Sequence, residues 1–341
     1  MATLRVMTWN LENLFAPDRD DGPAEARFRR KLGALATLID GVRPHLLALQ
    51  EVGPEDALGR LQAALGHAMP HAAAGIPDDR GIRVALLSTE EFTDIRHLQA
   101  FPAQVRPVQV RDPVFDDPAT AGDEALTARM GRGGLEAGIT LGGIPVRILT
   151  AHFKSKLIGY ERRPGLVRGH PFQPNDEGER CRYAAYALSR RTGEALTIRQ
   201  RLNEILAGTG RDTAVIFCGD LNDGVDAATT QILQGPPGSE IATEGFSRAD
   251  QGDGFRMWNL APLLPEVDGG PAYTRVYRGR RELIDHIFAS RALVDPGNLP
   301  RVQTLAASPL PSIGDDPRAR AAEPASDHAA VVAEFTLGGA G

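Results

Sequence analysis

Residues 214–223 read AVIFCGDLND, an apolar run that ends in a glycine and then in Asp220, Asn222 and Asp223. Consecutive apolar residues, several of them β-branched or aromatic, predict a buried β-strand over Ala214 to Cys218. The acidic and amide side chains follow where that strand ends. An aspartate or asparagine at such a place most often forms a turn or a helix cap, so this stretch alone does not identify a function.

The same pattern, an apolar run that meets a carboxylate, an amide or an imidazole, occurs at other places along the chain. They are Trp9-Asn10-Leu11-Glu12, Gln50-Glu51-Val52, Ala151-His152-Phe153-Lys154-Ser155, Leu283-Ile284-Asp285-His286 and Ser326-Asp327-His328. Strands gathered in one sheet place their ends on a common edge, which is the usual location of α/β active sites. These segments are therefore predicted to meet in one cleft.

Hydrophobic periodicity alternates short strand-like runs with helical stretches, without an internal repeat or a linker long enough to divide the chain. We therefore expect an α/β protein with a single domain over residues 1–341. The predicted strands are Leu4–Trp9, His45–Leu49, Arg83–Ser88, Leu135–Leu141, Val146–Ala151, Ala214–Cys218, Leu283–Ser290 and Ala329–Phe335. The predicted helices are Ala24–Gly41, Pro54–Leu65 and Glu177–Ala207, and the predicted loops are Pro102–Gly134, Gly159–Asp176 and Gly235–Tyr273.

The composition is that of an ordinary globular protein, with 42% apolar and 24% charged residues. No apolar run approaches the roughly 18 residues that a membrane-spanning helix needs, and Met1 leads almost directly into a strand-like run. We therefore expect no membrane span and a cytoplasmic location. Cys181 and Cys218 are too few for a disulfide framework, and neither belongs to a zinc-binding pattern. The sequence carries no signal for an oligomeric state.

The formal net charge of −6 argues against a protein that coats nucleic acid through a large basic face, but it leaves room for a local basic groove. Of the 38 basic residues, only Lys31, Lys154 and Lys156 are lysines. This proportion of arginine fits either phosphate recognition or a coding bias. Two arginine-rich segments, Arg162–Arg182 and Arg275–Arg281, adjoin the motif residues, and the second is a predicted hairpin.

The polar residues of these segments are mainly hard oxygen donors. The candidate metal ligands are Asn10, Glu12, Glu51, Asp220, Asn222 and Asp327. A set of this kind, without thiolates, is preferred by Mg²⁺ or Mn²⁺. Metal ions held by a few carboxylates are the usual apparatus for reactions at phosphate esters. The sequence therefore predicts a metal-dependent phosphoesterase, in which His152 and His328 are available as acid, base or phosphate contacts.

Taken in order, the segments resemble those of the endonuclease/exonuclease/phosphatase superfamily, which includes deoxyribonuclease I, AP endonucleases, neutral sphingomyelinases and inositol polyphosphate phosphatases. The resemblance covers essentially the whole chain. The matching parts are Trp9-Asn10, Gln50-Glu51-Val52, His152–Ser155, Gly219–Asn222, Tyr273-Thr274, Ile284–Ile287 and Ser326–His328. The resemblance implies a four-layered sandwich, in which two packed mixed β-sheets are flanked by helices and the site lies at one end.

The resemblance also implies which residues bind the metal. Glu51 resembles the principal metal-binding glutamate of the family, and Asn10 and Asp327 lie beside it. Glu12 stands where the AP endonucleases have aspartate. The expected cofactor is accordingly Mg²⁺ or Mn²⁺.

The catalytic roles are carried over in the same way. Asp220 and Asn222 resemble the pair that handles the attacking water and the phosphate. Asp285 resembles the acid that orients the histidine of the last motif, here His328, and His152 resembles the second histidine of deoxyribonuclease I and the sphingomyelinases. Either His328 or Asp220 is the base, and the sequence does not separate the two roles.

Two positions depart from the family's pattern. In deoxyribonuclease I the second histidine has a glutamate partner on a preceding strand, whereas the matching stretch here, Asp78–Arg83, contains no aligned glutamate. Asp79 is the candidate substitute. The AP endonucleases carry a tyrosine where this chain has His152, which disfavours a specialist for abasic sites.

Residues near the motifs are candidates for substrate binding. Lys154 follows His152 by two residues, so it lies on the same side if the strand continues, and it would then reach a phosphate. Arg80 is a second candidate contact. His286 alternates with Asp285 along one strand and is predicted to face away from the site as a structural residue.

The expected function is hydrolysis of a phosphodiester, either a nucleic acid or a smaller diester, by metal-assisted in-line attack of water. A phosphomonoesterase acting on a nucleotide, sugar or inositol phosphate is the enzymatic alternative, because fold and motifs do not choose between them. A non-catalytic binding protein on the same fold would ordinarily have lost some of these residues.

Overall fold

Two six-stranded mixed sheets lie at the centre of the protein. The computed structural model describes residues 2–18, 22–112, 125–160, 172–306 and 325–338. The strands are β1 (Ala2–Leu14), β2 (Leu46–Val52), β3 (His71–Ala74), β4 (Arg83–Ser88), β5 (Thr93–Ala100), β6 (Val108–Gln109), β7 (Leu126–Thr127), β8 (Arg129–Leu141), β9 (Ile144–His152), β10 (Ala214–Asp220), β11 (Trp258–Asn259), β12 (Arg275–Tyr277), β13 (Arg280–Glu282), β14 (Asp285–Ala289), β15 (Arg301–Thr304) and β16 (Val331–Leu337). The α-helices are α1 (Gly22–Val42), α2 (Glu55–Ala64), α3 (Glu177–Leu206), α4 (Ala228–Leu233) and α5 (Glu244–Ser247).

The first sheet has the strand order β15-β16-β1-β2-β4-β3, and the second has the order β11-β14-β10-β9-β8-β5. Each sheet contains a parallel pair at its centre, β1 with β2 in the first and β9 with β10 in the second. The strands β16 and β14 run antiparallel to β1 and β10. Two short hairpins, β6-β7 and β12-β13, form separate two-stranded sheets.

Three apolar interfaces hold four layers together. The interface between the sheets contains Leu4, Val6, Leu46, Leu135, Ile148 and Ile216. The helices α1 and α2 cover the outer face of the first sheet through contacts among Met7, Phe28, Leu32, Leu47 and Leu61. The helix α3 covers the outer face of the second sheet through contacts among Leu149, Ile198, Leu202 and Phe217. Neighbouring residues of a strand serve opposite interfaces because side chains alternate across a sheet. The expected four-layered sandwich is therefore confirmed.

Every predicted strand and helix is present, with shifted ends at most of them. Outside the predicted loops and the predicted hairpin, three strands, β3, β5 and β15, were not expected from the sequence. One of them, β5, lies at a sheet edge with mostly exposed side chains, so it lacks the apolar alternation that marks a strand. The predicted loop Pro102–Gly134 contains β6 and β7, and Gly235–Tyr273 contains α5 and β11. Residues 113–124 and 161–171 of the predicted loops lie outside the described residues.

The two cysteines are unpaired and lie in different surroundings. Cys218 is buried in β10, where burial raises the pKa of its thiol to about 12, whereas Cys181 is exposed on α3. As for membrane association, none of the helices in the described residues is both long and apolar enough to cross a bilayer.

Candidate active site

Strand direction explains why the predicted site residues meet at one edge of the sandwich. The parallel strands β1, β2, β9 and β10 end there, and β14 and β16 begin there because they run the opposite way. In the second sheet, Asp220 is paired with both His152 and Asp285. In the first sheet, Asn10 is paired with Gln50, the neighbour of Glu51.

Asp220 lies at the centre of the cluster and is almost completely buried. Its Oδ2 accepts a hydrogen bond from Asn10 Nδ2 at 2.9 Å and lies 3.4 Å from His152 Nε2. Its Oδ1 accepts from the backbone N–H of Asn222 at 2.8 Å. Burial and the negative charge of Asp285 raise the pKa of the Asp220 carboxyl, and they outweigh the charge of His328 and the two hydrogen bonds. Asp220 can therefore exchange a proton closer to neutral pH than an exposed aspartate.

His328 and Asp285 form a buried pair across the two sheets. His328 Nδ1 lies 2.8 Å from Asp285 Oδ2, and His328 Nε2 lies 4.0 Å from Asp220 Oδ2. Burial opposes the charged form of His328, but Asp285, Asp220 and the adjacent Asp327 outweigh it and raise the pKa of the ring to about 10. The Trp9 indole donates to the backbone oxygen of His328 at 2.8 Å, which fixes the start of β16.

His152 lies beside this pair as the predicted second histidine. Burial and the nearby Arg132 hold the pKa of its ring well below the usual value, so the ring is neutral. Its Nδ1 is buried and has no hydrogen-bond partner within the described part of the chain. Asp79 therefore does not replace the missing glutamate in this structure. The neighbouring Asp78 is instead engaged with Arg132, at 3.6 Å between Oδ2 and Nε.

The predicted metal ligands of the first sheet stand on unusual backbone. Glu12, Asn13 and Glu51 have positive φ angles of 48°, 55° and 58°, a conformation that side-chain-bearing residues adopt at a cost and that clusters at functional sites. Glu51 Oε2 accepts from the backbone of Asn13 at 2.9 Å. The amide of Asn10 donates to Asp220 and, at 3.4 Å, to Glu51 Oε1, while its oxygen accepts from the backbone of Glu12. Asn10 is thus buried behind the carboxylates, and Glu12 and Glu51 line the cleft.

The remaining predicted ligands close the site from the other side. Asp327 Oδ2 pairs with Arg275 Nη2 at 3.2 Å, and its Oδ1 lies 3.8 Å from His328 Nε2. Asn222 also has a positive φ, 52°, and its amide donates to the backbone oxygen of Phe153 at 3.1 Å. Both residues line the same cleft as Glu51.

The donor set fits a hard divalent cation. Asp220, Asp285 and His328 each offer one ligand atom within 4.8 Å of the others, but the hydrogen bond between the last two favours a catalytic pair over a shared ligand role. Asp285 Oδ1 is buried without a hydrogen-bond partner among the described residues, and the pKa of Asp220 is raised. The clustered carboxylates of the site thus include an oxygen atom that no hydrogen bond within the described residues occupies, and the donors include no thiolate.

The cluster forms the floor of a cleft of about 910 Å³. Its walls carry cations from separate segments of the chain, namely Arg80, Arg132, Lys156, Arg180, Arg275, Arg278 and Arg280. Arg80, a predicted substrate contact, is therefore at the cleft, where its Nη2 donates to Asn13 Oδ1 at 3.2 Å. Walls of this charge attract an anion to a floor that is itself acidic.

Lys154 is not brought to the cleft, because β9 ends at His152 and the side-chain alternation ends with it. Its ammonium donates to the backbone oxygens of Ser155 at 3.0 Å and Leu157 at 2.8 Å. Lys154 is therefore absent from the cleft lining, and its contact with a phosphate stays a prediction. Lys156 lines the cleft instead, with Nζ 3.5 Å from Asp223 Oδ1.

The predicted arginine hairpin is present as β12-β13, and its turn residue Arg278 has a φ of 50°. Arg278 and Arg280 line the cleft. Arg281 does not, since its guanidinium donates to the Val267 oxygen at 3.1 Å and packs over the Tyr273 ring. Only part of the hairpin therefore faces the site.

His286 faces away from the site, as its alternation with Asp285 predicts. Its Nε2 lies 2.9 Å from the backbone oxygen of Asp223, and its Nδ1 lies 3.3 Å from the amide nitrogen of Asn259. Burial lowers the pKa of this ring. These contacts tie β14 to the segment after β10 and to β11.

The sequence did not indicate Lys31 as a residue of the site. Its Nζ donates to the backbone oxygen of Glu12 at 2.7 Å. Burial lowers its pKa to about 8, although the negative charges of Asp327 and Glu51 act in the opposite direction. The rarity of lysine in this chain was a signal, since Lys31 contacts the backbone of Glu12 and Lys156 lines the cleft.

Comparisons with known proteins agree with this geometry. The model of the Endonuclease/Exonuclease/phosphatase family matches residues 7–328, and no curated protein sequence matches the chain. A humanized D. rerio TDP2 superposes with a TM-score of 0.57 and 16% identity, covering 98% of this chain and 99% of that chain. The human Nocturnin catalytic domain with bound sulfate superposes with a TM-score of 0.53 and 16% identity, covering 98% of this chain and 94% of that chain. An endonuclease/exonuclease/phosphatase from Bacteroides vulgatus superposes with a TM-score of 0.53 and 15% identity, covering 99% of this chain and 100% of that chain.

Similarity at these identities shows the fold, and the family match carries the assignment. Members of this family are generally hydrolases that act on phosphate esters. The motif order, the four-layered sandwich and the family match over residues 7–328 agree, and the chain belongs to the endonuclease/exonuclease/phosphatase family.

Proposed function

We propose that this protein hydrolyses phosphodiesters with the help of Mg²⁺ or Mn²⁺. The observation that carries the proposal is the buried cluster of Asp220, Asp285 and His328 beside Glu51, at the floor of a cleft with cationic walls. The acidic floor suits a metal and the walls suit an anionic substrate. Family membership supports the same reaction class.

Glu51, Glu12 and Asp327 are the residues we assign to the metal, because their carboxylates line the cleft. A divalent cation bound there supplies positive charge that offsets the charge of the scissile phosphate. Asn10 supports this group from behind, as its amide hydrogens hold the carboxylates of Glu51 and Asp220. Asn222 remains a candidate for contact with the phosphate.

The surroundings of His328 and Asp220, the two candidate bases, suit them to different roles. Asp285 keeps His328 protonated, with a pKa of about 10, which suits a ring that donates a hydrogen bond to a phosphate oxygen. Asp220 has a raised pKa and two oxygens held by fixed donors, which suits a carboxylate that takes a proton from water. We therefore assign Asp220 as the base and His328 as the donor, with neutral His152 as a further phosphate contact.

The cleft walls favour a diester over a monoester. Cations approach from the segment before β4, from β8, from the connection between β9 and α3, and from the β12-β13 hairpin. A diester carries groups on both sides of its phosphate and meets more of these segments. Nucleic acid and small diesters both fit this description. The exposed Tyr277 ring on the hairpin, beside Arg275 and Arg278, favours a substrate with a planar group.

The test is a metal-dependent panel of bis-p-nitrophenyl phosphate, p-nitrophenyl phosphate, plasmid DNA, single-stranded RNA and sphingomyelin. We expect hydrolysis of the aryl diester to exceed that of the aryl monoester, since only the diester meets both sides of the cleft. Turnover of the monoester without any diester would instead support the phosphomonoesterase alternative. A lack of turnover for all substrates with either metal would favour a binding protein.

A further inference from the structure

The site is divided between the two sheets, so its geometry depends on how the sheets are held together. Asn10 and Glu51 lie toward the C-terminal ends of β1 and β2 in the first sheet, and His328 precedes β16 of that sheet, whereas Asp220 and Asp285 belong to the second. The hydrogen bond from Asn10 to Asp220 and the contact between His328 and Asp285 both cross the gap. A small sliding of one sheet would lengthen both.

A polar layer lies directly beneath these residues. Thr8, Thr150 and Cys218 each stand two residues before a site residue and thus on the same face of the strand. Gln50 joins the sheets in this layer, because its Nε2 donates to Thr8 Oγ1 at 3.1 Å in its own sheet and to Thr150 Oγ1 at 3.2 Å in the other. Gln50 and its two partners are completely buried.

One step deeper, the interface between the sheets is apolar and contains Val6, Ile148 and Ile216. Apolar contacts are not directional and tolerate sliding, whereas a hydrogen bond fixes the separation and angle of its partners. The Gln50 oxygen is buried without a partner within the described ranges, so this amide is not optimised for stability. Since burial of the unpaired Gln50 oxygen costs free energy of folding, we look for a role of this side chain other than stability.

We propose that Gln50 is a positioning residue, whose hydrogen bond to Thr150 holds the sheets in the register that assembles the site. The proposal rests on the proposed function for its kinetic readout. Gln50 does not touch the substrate in this account. It acts through the Asn10–Asp220 and Asp285–His328 contacts.

The experiment compares Gln50→Met and Thr150→Val, each of which removes the hydrogen bond at similar side-chain volume. We expect each to lower kcat for bis-p-nitrophenyl phosphate at least about tenfold, with KM changed by less than about twofold, because misplaced catalytic groups cost rate. The kcat of the double variant should be no lower than that of the single variant with the lower kcat, since both substitutions remove the same hydrogen bond.

Ile148→Val is the matched control, because it loosens the same interface without removing a hydrogen bond. We expect it to lower Tm and to leave kcat unchanged. A second readout is the downfield NMR resonance of the proton shared by His328 and Asp285, which should broaden in Gln50→Met and Thr150→Val and stay sharp in Ile148→Val. Thr150→Val keeps the test available if Gln50→Met does not fold.

The outcomes separate this inference from the proposed function. A broadened resonance in both variants, in a protein that hydrolyses no diester, would remove the proposed function and leave the positioning role standing. Unchanged kcat and an unchanged resonance in either variant would overturn the role of Gln50. An equal loss of kcat in Ile148→Val would also overturn the role of Gln50, because loosened packing between the sheets would then explain the effect.

Discussion

Asp220→Asn is expected to lower kcat for a diester substrate by at least about 10³-fold, within the range for loss of a general base. The change keeps the size of the side chain but removes the carboxylate that we assign to proton transfer. It also places an amide where Asn10 Nδ2 donates at 2.9 Å and where His152 Nε2 lies at 3.4 Å. Proton transfer and the hydrogen bonds of the cluster are therefore lost together.

The matched control is Asp226→Asn, an exposed carboxylate shortly after the same strand, which should keep the wild-type rate. The pH profile supplies a second check. Because burial and Asp285 raise the pKa of Asp220, the wild-type rate should fall as pH falls through that raised pKa. The Asp220→Asn variant should lack this acidic limb. A variant with wild-type kcat, or with the limb retained, would remove Asp220 from the role of base.

Substitutions of Asp285 and His328 are expected to be far from additive. His328→Ala should lower kcat by about 10² to 10⁴-fold, and Asp285→Asn by about 10²-fold, because it removes the charge that holds the ring protonated. The double variant should lose little more activity than His328→Ala alone, since Asp285 acts chiefly through the ring that it contacts at 2.8 Å.

A double-mutant cycle on kcat/KM measures this coupling. The coupling energy should nearly equal the whole effect of Asp285→Asn. If the two single penalties instead summed in the double variant, the residues would act independently and the pair would not be a catalytic unit. Folding of each variant is checked by Tm, because both side chains are buried.

The sequence predicted which polar residues meet at this edge where the side chain lies near a strand end. Asp220, Glu51 and His152 each follow an apolar run, and strand direction brings such residues to one edge without further information. Asp285 begins β14 and His328 precedes β16, and the antiparallel course of those strands returns both residues to the same edge. The fold followed from the same alternation of apolar runs and from the resemblance.

Residues that depend on where a strand stops, or on the path of a loop, escaped prediction. Lys154 was placed beside His152 by extending an alternation past the end of β9, whereas the chain turns and Lys156 takes the cleft position. Lys31 approaches the site from a helix, and no local pattern indicates where a helix docks. Gln50 stood in a motif, but its partner Thr150 lies on another sheet.

The most direct test of the central claim is a titration of Mn²⁺ or Mg²⁺ into EDTA-treated enzyme, with hydrolysis of bis-p-nitrophenyl phosphate as the readout. We predict no hydrolysis without metal and a saturable rise with it. Glu51→Gln should lower the maximal rate at least about 100-fold and raise the half-saturating metal concentration, whereas Glu282→Gln, another cleft carboxylate, should titrate like the wild type. Undiminished hydrolysis in EDTA, or a wild-type titration of Glu51→Gln, would contradict the account.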